Sequence, residues 1–558
     1  MRTLSFLLLI IATASCAAQP WLTTIQVGGP GDDDMVLVDV VDADGSFYVH
    51  ANYSRQVGTL PPPTYCLVGT DTLFGTENAF IAKYTSAGAL VWLRNFASSG
   101  GLVYVMDMTY DTLSNALYVV GGYTGNCLLD TIQLTSGGAS FISKWTSDGH
   151  CLWARDVSSY WCELTSCTIG PNGSLLVGGH IGNTFAQVEG HFWPQGSLML
   201  AYTPQGDTLW TRYLNAHDGF NEGAYPIRLD HGPDGITALL TTYLREDNDT
   251  LVIDGLVQTG YHGLAYGILR ADPVDGHVLW VRTDGSPTSG ASAYAPDQML
   301  VLNNGDILLA RAFGDTAIIN GDTLLSTAES TSALIRYSSS GSFLGVQRFD
   351  ASERALFLAI SEAPAGQFLI TGKINGDCLW DGHSLSTGGI DHVLLCRLDT
   401  DGTCLALSSF SSGIGASIRC LPSGFALTGV FPNSNTATGP PLNMGPISYT
   451  TRGWTDSFIA VHDGSVGVSS LHAPMESGLQ IYANPNNGSF RLVLPEAIAN
   501  AAQLQLRIYD STGQLVKEQT LGREEQRPRM DVFDVGAGLY VVTVSDGQRT
   551  YSGTMVVE

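Results

Sequence analysis

The chain has 558 residues, of which 44% are apolar and 14% are charged, and 52 acidic residues against 26 basic ones give a formal net charge of −26. This composition excludes a disordered chain and provides enough apolar material for large cores. The acidic excess argues against binding to nucleic acid or to anionic lipid, and 64 glycines favour a turn-rich, all-β protein.

Residues 1–18 are predicted to be a secretory signal peptide. A basic residue precedes the apolar stretch 4–14, and small residues follow it through Ala18. The apolar stretch is much shorter than the roughly 20 residues that a membrane-spanning helix needs. We expect cleavage after Ala18, with a lipid anchor on Cys16 as the alternative. No other stretch is long and apolar enough to span a bilayer, so no transmembrane helix is predicted.

One sequence motif recurs along residues 19–464 and divides this region into seven repeats. An apolar strand, a turn with glycine and a Leu-Trp strand follow one another, as in residues 80–84, Gly88 and Trp92. A second motif alternates with the first and consists of a turn followed by a stretch of β-branched or aromatic residues. The glycine of this turn is Gly45 in the first copy and Gly424 in the seventh. These two residues are 379 residues apart, a distance that spans six repeat intervals. This regular period indicates repeated units of about 63 residues.

Each repeat predicts four antiparallel strands, and seven such repeats suit a ring of blades or an open solenoid. The seventh repeat has no Leu-Trp strand after residues 458–461, whereas an unassigned strand stands at residues 20–24. Pairing these two segments would close the ring and remove two exposed sheet edges. We therefore predict an all-β, seven-bladed β-propeller over residues 19–464, closed by the N-terminal strand.

A tryptophan occupies the same position in four repeats. A large aromatic side chain at one fixed point of a repeat typically packs between neighbouring repeats, and a sugar-stacking surface is the alternative. The four residues are Trp92, Trp153, Trp210 and Trp280.

The repeats resemble those of a bacterial seven-bladed β-propeller repeat family. The resemblance is strongest at residues 83–84, 118–121 and 144–145. It implies the propeller architecture and little about activity, because one fold supports many functions.

Residues 479–558 follow a linker at 465–478 and predict a small Ig-like β-sandwich. Segments 481–490, 506–513 and 538–544 resemble the C-terminal sorting domain of type IX secretion cargo. The resemblance implies the type IX secretion machinery as a partner, and export through the periplasm to the outer cell surface or the medium. The motif residues are Asn484, Pro485, Gly488, Phe490, Tyr509, Asp510, Gly513, Gly538 and Tyr540.

Common local motifs for catalysis or cofactor binding are absent from the sequence, including nucleophile elbows, zinc helices and phosphate loops. Carboxylates in the loops between repeats are instead predicted to share one acidic face. Its residues are Asp33, Glu163, Asp218, Glu222, Asp350 and Glu353. A solvated rim, a calcium or ligand site, and an acid–base pair acting on a glycan are the three interpretations. We predict no catalytic residue and no cofactor, with calcium as the alternative.

Nine cysteines remain after cleavage at Ala18, an odd number for an oxidising compartment. Cys127 and Cys378 occupy one repeat position, and Cys151 and Cys404 occupy another. We predict one disulfide between Cys127 and Cys151 and a second between Cys378 and Cys404. Free buried thiols are the alternative.

The sequence thus predicts a secreted or surface-displayed interaction scaffold for a glycan or a protein. One alternative is an extracellular polysaccharide hydrolase or lyase with carboxylates at the propeller mouth. That enzyme would need at least two close carboxyls with a raised pKa. The other alternative is a structural component of the extracellular layer.

Overall fold

The computed structural model divides into two compact units, Met1–Val466 and Gly467–Glu558. Predicted features at residues 1–20, including the signal peptide and Cys16, lie outside the described residues. The described residues are 21–30, 35–53, 65–75, 78–158, 162–214, 225–244, 250–259, 263–286, 298–326, 328–431, 441–444, 447–453, 455–463, 476–477, 479–482, 486, 489–494, 503–510, 515–522, 529–531, 536, 538–546 and 550–557.

The first unit consists of β-strands and two short 3₁₀ turns over its described residues. The strands of its N-terminal half are β1 (Trp21–Gly28), β2 (Leu37–Val41), β3 (Phe47–Tyr53), β4 (Tyr65–Val68), β5 (Asp71–Phe74), β6 (Asn78–Tyr84), β7 (Leu90–Ser99), β8 (Val103–Asp111), β9 (Ala116–Leu129), β10 (Ile132–Thr146), β11 (Cys151–Asp156), β12 (Cys162–Ile169), β13 (Leu175–Val188), β14 (His191–Tyr202) and β15 (Thr208–Leu214). The 3₁₀ turns are Pro171–Gly173 and Pro364–Gly366.

The strands continue with the same spacing through the second half of this unit. They are β16 (Tyr225–Gly232), β17 (Gly235–Leu244), β18 (Thr250–Ile253), β19 (Leu256–Thr259), β20 (Gly263–Ala271), β21 (Val278–Ser286), β22 (Gln298–Val301), β23 (Ile307–Phe313), β24 (Thr316–Ile319), β25 (Asp322–Leu325), β26 (Thr331–Tyr337), β27 (Phe343–Phe349), β28 (Arg354–Ala363), β29 (Gln367–Asn375), β30 (Asp377–Trp380), β31 (His383–Ser386), β32 (His392–Leu398), β33 (Cys404–Ser411), β34 (Ile414–Leu421), β35 (Gly424–Phe431), β36 (Leu442–Met444), β37 (Ile447–Tyr449) and β38 (Asp456–His462).

The strands assigned to each predicted repeat form a four-stranded antiparallel arrangement. The strand orders are β2-β3-β6-β7, β8-β9-β10-β11, β12-β13-β14-β15, β16-β17-β20-β21, β22-β23-β26-β27, β28-β29-β32-β33 and β34-β35-β38-β1. The seventh repeat takes its fourth strand from the N-terminus, with Ile25 opposite Ile459 and Val27 opposite Ser457. The predicted pairing of the N-terminal strand with the last repeat is therefore confirmed.

The first strands of successive repeats contact one another. Each first strand contacts the next one in the series β2, β8, β12, β16, β22, β28 and β34. The last of them, β34, contacts β2. The hydrophobic cores also extend across repeat boundaries. One core combines Val38 and Phe47 of the first repeat with Leu421, Ala426 and Ile459 of the seventh.

Short hairpins between the second and third strands of the repeats are a feature that the sequence prediction missed. Three of them, β18-β19, β24-β25 and β30-β31, turn at Asp254, Asn320 and Asp381, which have φ values of 50°, 51° and 49°. Asp and Asn tolerate this left-handed conformation in tight hairpin turns. The Asp381 carboxylate accepts a hydrogen bond of 2.7 Å from the Cys404 amide, which ties its hairpin to the fourth strand.

Adjacent repeats pack through a contact that we call an indole junction. Trp92 on β7 lies against Gly149 in the turn of the next repeat, and its Nε1 donates to the Ser147 carbonyl at 2.9 Å. A Cβ on Gly149 would lie 2.8 Å from the Trp92 ring, so this position has no room for a side chain. Three further junctions repeat the contact: Trp153 on Gly206, Trp210 on Gly276 and Trp280 on Gly341. The predicted packing of the tryptophans between repeats is confirmed.

The second unit has two sheets around one apolar core, the arrangement expected of a small sandwich. Its core includes Phe490, Leu506, Val542 and Met555. Its strands are β39 (Glu476–Ser477), β40 (Gln480–Tyr482), β41 (Ser489–Val493), β42 (Gln503–Tyr509), β43 (Leu515–Gly522), β44 (Arg529–Asp531), β45 (Gly538–Ser545) and β46 (Thr550–Val557). The sheet orders are β39-β46-β45-β42-β43 and β40-β41-β44.

Candidate functional site

The residues of the predicted acidic face fall in several places. Asp33, Asp218 and Glu222 lie outside the described residues. Glu163 is on β12, with about half of its side chain exposed and Oε2 3.9 Å from His180 Nε2. Asp350 and Glu353 share the loop between β27 and β28. At least two repeat boundaries separate this loop from Glu163 along the chain.

Asp350 has structural partners within its own repeat. Its Oδ1 accepts hydrogen bonds from Thr331 Oγ1 at 2.9 Å and from Arg348 Nη2 at 2.8 Å. Glu353 is exposed, and its backbone carbonyl accepts a hydrogen bond from the Glu329 amide at 2.9 Å. These contacts suit a rim that ties loops together, and the shared acidic face stays a prediction.

The first two strands of the repeats carry a second set of charged residues, which we call the central cluster. It consists of Asp39 on β2, His50 on β3, Asp107 on β8 and Arg228 on β16. The register of β2 against β3 is shifted between Val38 and Val40, so that Asp39 stands in a β-bulge. A bulge re-aims the side chain that it carries. Here, His50 Nδ1 lies 2.5 Å from Asp39 Oδ2.

Asp107 ties the second repeat to the third. Its Oδ2 accepts a hydrogen bond from the Cys167 amide on β12 at 2.8 Å, and its Oδ1 accepts one from the Met108 amide at 2.9 Å. Burial, and next the negative charge of Asp39, raise the pKa of Asp107 to about 6, although Arg228 opposes the shift. Asp107 therefore combines a structural role with a proton affinity that is unusual for an aspartate.

The charge of His50 is set by its neighbours. Burial disfavours the imidazolium, but the Asp39 carboxylate overcomes this penalty and the pKa of His50 lies above its ordinary value. His50 and Asp107 both have a raised pKa, and both interact electrostatically with Asp39, so this group can hold protons. Such a group can also hydrogen-bond a polar ligand or serve in acid–base chemistry.

Sequence reasoning missed the central cluster. One signal for it was present, because Asp39 interrupts the apolar run of residues 36–41 and Asp107 interrupts a similar run. A charged residue inside a buried strand needs a partner, and that need marks it for inspection. The partner Arg228 belongs to a distant repeat, and no local motif connects it with Asp107.

The structure contains no disulfide among the nine cysteines of its described residues, all of which are free thiols. Cys127 and Cys151 belong to one core region, and burial raises the pKa of each to about 12. The Sγ atom of Cys404 lies 3.7 Å from that of Cys396, a neighbour that the sequence argument did not consider. The pairings of Cys127 with Cys151 and of Cys378 with Cys404 stay predictions.

No group of three or more His, Cys, Asp or Glu side chains is placed to hold a metal ion in the described part of the chain. No helix within the described ranges is long and apolar enough to cross a membrane.

The sorting-motif residues divide into core and edge positions. Phe490 and Tyr540 are buried in the second unit, and Tyr540 OH donates to the Gly536 carbonyl at 2.7 Å. Tyr509 and Asp510 lie at the end of β42, and Gly538 begins β45. Four motif residues lie outside the described residues: Asn484, Pro485, Gly488 and Gly513.

Residues 480–558 match the secretion system C-terminal sorting domain family. This tail implies handling by the type IX secretion machinery and export to the cell surface or beyond it. No curated protein matches the chain.

Solved structures with a similar chain include a protein of unknown function from Bacteroides caccae. It is 14% identical with a TM-score of 0.32, over 60% of this chain and 90% of that one. A glycoside hydrolase family 32 structure from Bifidobacterium adolescentis is 10% identical with a TM-score of 0.28, over 78% of each chain.

Proposed function

We propose that residues 21–463 form a seven-bladed β-propeller that acts outside the cell as an interaction scaffold, and that the sorting domain delivers it there. The observation that supports this architecture is the contact of β34 with β2, because β34 is the first strand of the seventh repeat and β2 is the first strand of the first repeat. The β1–β38 pairing supports the same ring, because it supplies the fourth strand of the seventh repeat. A closed ring leaves fewer exposed sheet edges than an open array.

The sorting domain carries the proposed delivery. The test compares the full chain with a chain that ends at Val466, both produced in a bacterium with type IX secretion. We expect the full chain at the surface or in the medium and the shortened chain in the periplasm. If the first unit melts at the same temperature in the full chain and in the shortened chain, its folding is unaffected by the truncation. Equal export of both chains would contradict the assignment.

A binding role, rather than catalysis, is supported by how the carboxylates are used. Asp107 accepts hydrogen bonds from two backbone amides, and Asp350 accepts them from a threonine and an arginine. Carboxylates held in this way stabilise the framework that presents the loops. We propose that these loops bind a surface glycan or protein, with calcium as an accessory ion to be tested.

A second candidate, a polysaccharide hydrolase or lyase, draws on one observation. Asp39 and Asp107 interact electrostatically beside His50, and the pKa of Asp107 is raised to about 6. A carboxyl with a raised pKa beside a second carboxyl is the arrangement that acid–base cleavage of a glycan uses.

One experiment separates these candidates. The mature chain is melted with calcium or with chelator against a panel of polysaccharides, and the release of reducing or unsaturated ends is assayed in parallel. A melting shift without turnover supports the scaffold. Turnover that disappears in both Asp39→Asn and Asp107→Asn supports the enzyme. If neither a shift nor turnover occurs, the role as a structural component of the extracellular layer is favoured.

A further inference from the structure

The junction between the fifth and sixth repeats has no tryptophan. Gly345 on β27 pairs with Arg336, just as Trp92 pairs with Lys83 and Trp280 pairs with Arg270. A Cβ on Gly345 would meet no other atom within 4 Å. The strand position that holds an indole in four other junctions therefore carries no side chain here, and Gln347 lies against the turn glycine Gly402 instead. We call this place the vacant junction.

A cavity of about 450 Å³ occupies the vacant junction. Leu334, Val346 and Phe368 supply apolar walls, Arg336 and Gln347 supply polar groups, and the turn of residues 400–402 completes the lining. Small-molecule sites are typically clefts of about 300–1,000 Å³ with mostly apolar walls and a few polar groups. The size and lining of the cavity fit that description.

The neighbouring junctions show which polar contacts a ring makes at this position. The Pro204 carbonyl accepts hydrogen bonds from both Trp153 Nε1 and Lys144 Nζ, each at 3.3 Å. Thr400 is the equivalent turn residue of the vacant junction, and its carbonyl accepts Arg336 Nη1 at 3.1 Å. A carbonyl oxygen has two lone pairs, so this oxygen can accept a ring N–H as well.

At one junction the basic residue of the third strand faces the indole ring, and in the vacant junction Arg336 is also paired with Asp306 at 2.9 Å. The Arg270 guanidinium carbon lies 6.0 Å from the centre of the Trp280 ring, and Arg336 holds the equivalent position in the vacant junction. A guanidinium attracts the face of an aromatic ring through a cation–π interaction.

We propose that the vacant junction binds a small planar aromatic molecule of the indole class, with a ring N–H, in the place of the missing side chain. Its ring packs on Leu334, Val346 and Phe368, its N–H donates to the Thr400 carbonyl, and Arg336 faces its π system. This site goes beyond the proposed scaffold function. It depends on neither ring closure nor export.

The test measures binding of indole itself to the full mature chain by calorimetry and by ligand-observed NMR. We expect one site, with a dissociation constant in the micromolar to millimolar range that is usual for so small a ligand. Gly345→Trp fills the vacancy and weakens binding at least about ten-fold, while raising the melting temperature. Benzofuran, which has an oxygen in place of the N–H group, binds several-fold more weakly than indole.

A second variant gives the opposite change. Trp280→Gly creates a similar vacancy at the neighbouring junction and adds a second indole site. If Gly345→Trp does not fold, Gly345→Leu fills part of the cavity and must also weaken binding. Absence of indole binding to the wild-type chain overturns the proposal. So does indole binding that is unchanged in the folded position-345 variant, because the ligand then lies elsewhere.

Discussion

The indole junctions and the central cluster differ in how closely they follow the sequence repeat. Each indole junction uses a tryptophan ring and a turn glycine at fixed positions. The second repeat does not reproduce the part of the central cluster found in the first, because Met106 stands where Asp39 stands in the first repeat, and Val40 of the first repeat stands where Asp107 stands in the second. Packing thus follows the repeat, whereas unusual chemistry arises where residues depart from it.

Removing an indole should have the largest effect. Trp92→Ala removes a buried ring and its hydrogen bond to Ser147, and we expect a loss of about 3–5 kcal/mol in the free energy of unfolding. Urea unfolding of the full chain measures this loss. The control Val91→Ala alters a side chain on the same strand that is 51% exposed, and should change stability by about 0.5 kcal/mol or less. Equal losses in the two variants would show that the junction is unimportant.

The glycine side of the junction provides the next test. Gly149→Ala places a Cβ 2.8 Å from the Trp92 ring at a φ of 81°, and we expect a loss of about 2–3 kcal/mol. Gly137 has a similar φ of 84° and open space around it, so Gly137→Ala should cost only about 1 kcal/mol of backbone strain. The difference between their urea midpoints isolates the ring contact. Identical midpoints would assign the whole effect to the backbone.

The central cluster should respond to pH, unlike the junctions. A carboxyl whose pKa is raised in the folded state binds more protons folded than unfolded, so its contribution to stability is present at low pH and is lost as pH rises through about 6. In Asp107→Asn this loss disappears. We expect the variant to gain about 2–3 kcal/mol relative to the wild type between pH 4 and pH 7.

Neighbouring groups set the control for this measurement. His50, Asp39 and Arg228 act on Asp107 and remain in the variant, and the altered hydrogen bonds to Met108 and Cys167 add a constant that does not depend on pH. Because Asp107 also raises the pKa of His50, the slope of the difference between the two unfolding curves reports Asp107 together with its coupling to His50. A difference that does not change from pH 4 to pH 7 would refute the raised pKa.

The parts of the fold that recur could be predicted from the sequence. A repeat places like residues at like positions, which is why the four strands, the tryptophan packing and the β1–β38 pairing were readable. The inserted hairpins were missed because Asp254-Gly255 and Asn320-Gly321 carry the same turn signal as the connections between the main strands.

The candidate site was less predictable, for a physical reason. Asp39, Asp107 and Arg228 meet through three different repeats, and their electrostatic coupling depends on burial that no local pattern encodes. Asp350 is the opposite case, a carboxylate whose partner could be read from the sequence. Arg348 is only two residues away and indicates a paired, structural carboxylate. Cys396 was overlooked because its strand was interpreted only as an apolar repeat element.

The smallest effect should come from the vacant junction. Gly345 lies within β27, outside the left-handed region, and an added Cβ meets no atom within 4 Å. Glycine inside a strand costs stability through its backbone entropy, so Gly345→Ala should gain about 0.5 kcal/mol. Gly402→Ala is the matched control and should lose stability, because its φ is 91°. A destabilised Gly345→Ala would mean that the position needs glycine for its own packing. A small gain means that the fold tolerates a side chain there, and that the vacancy is a property of this sequence rather than a requirement of the repeat.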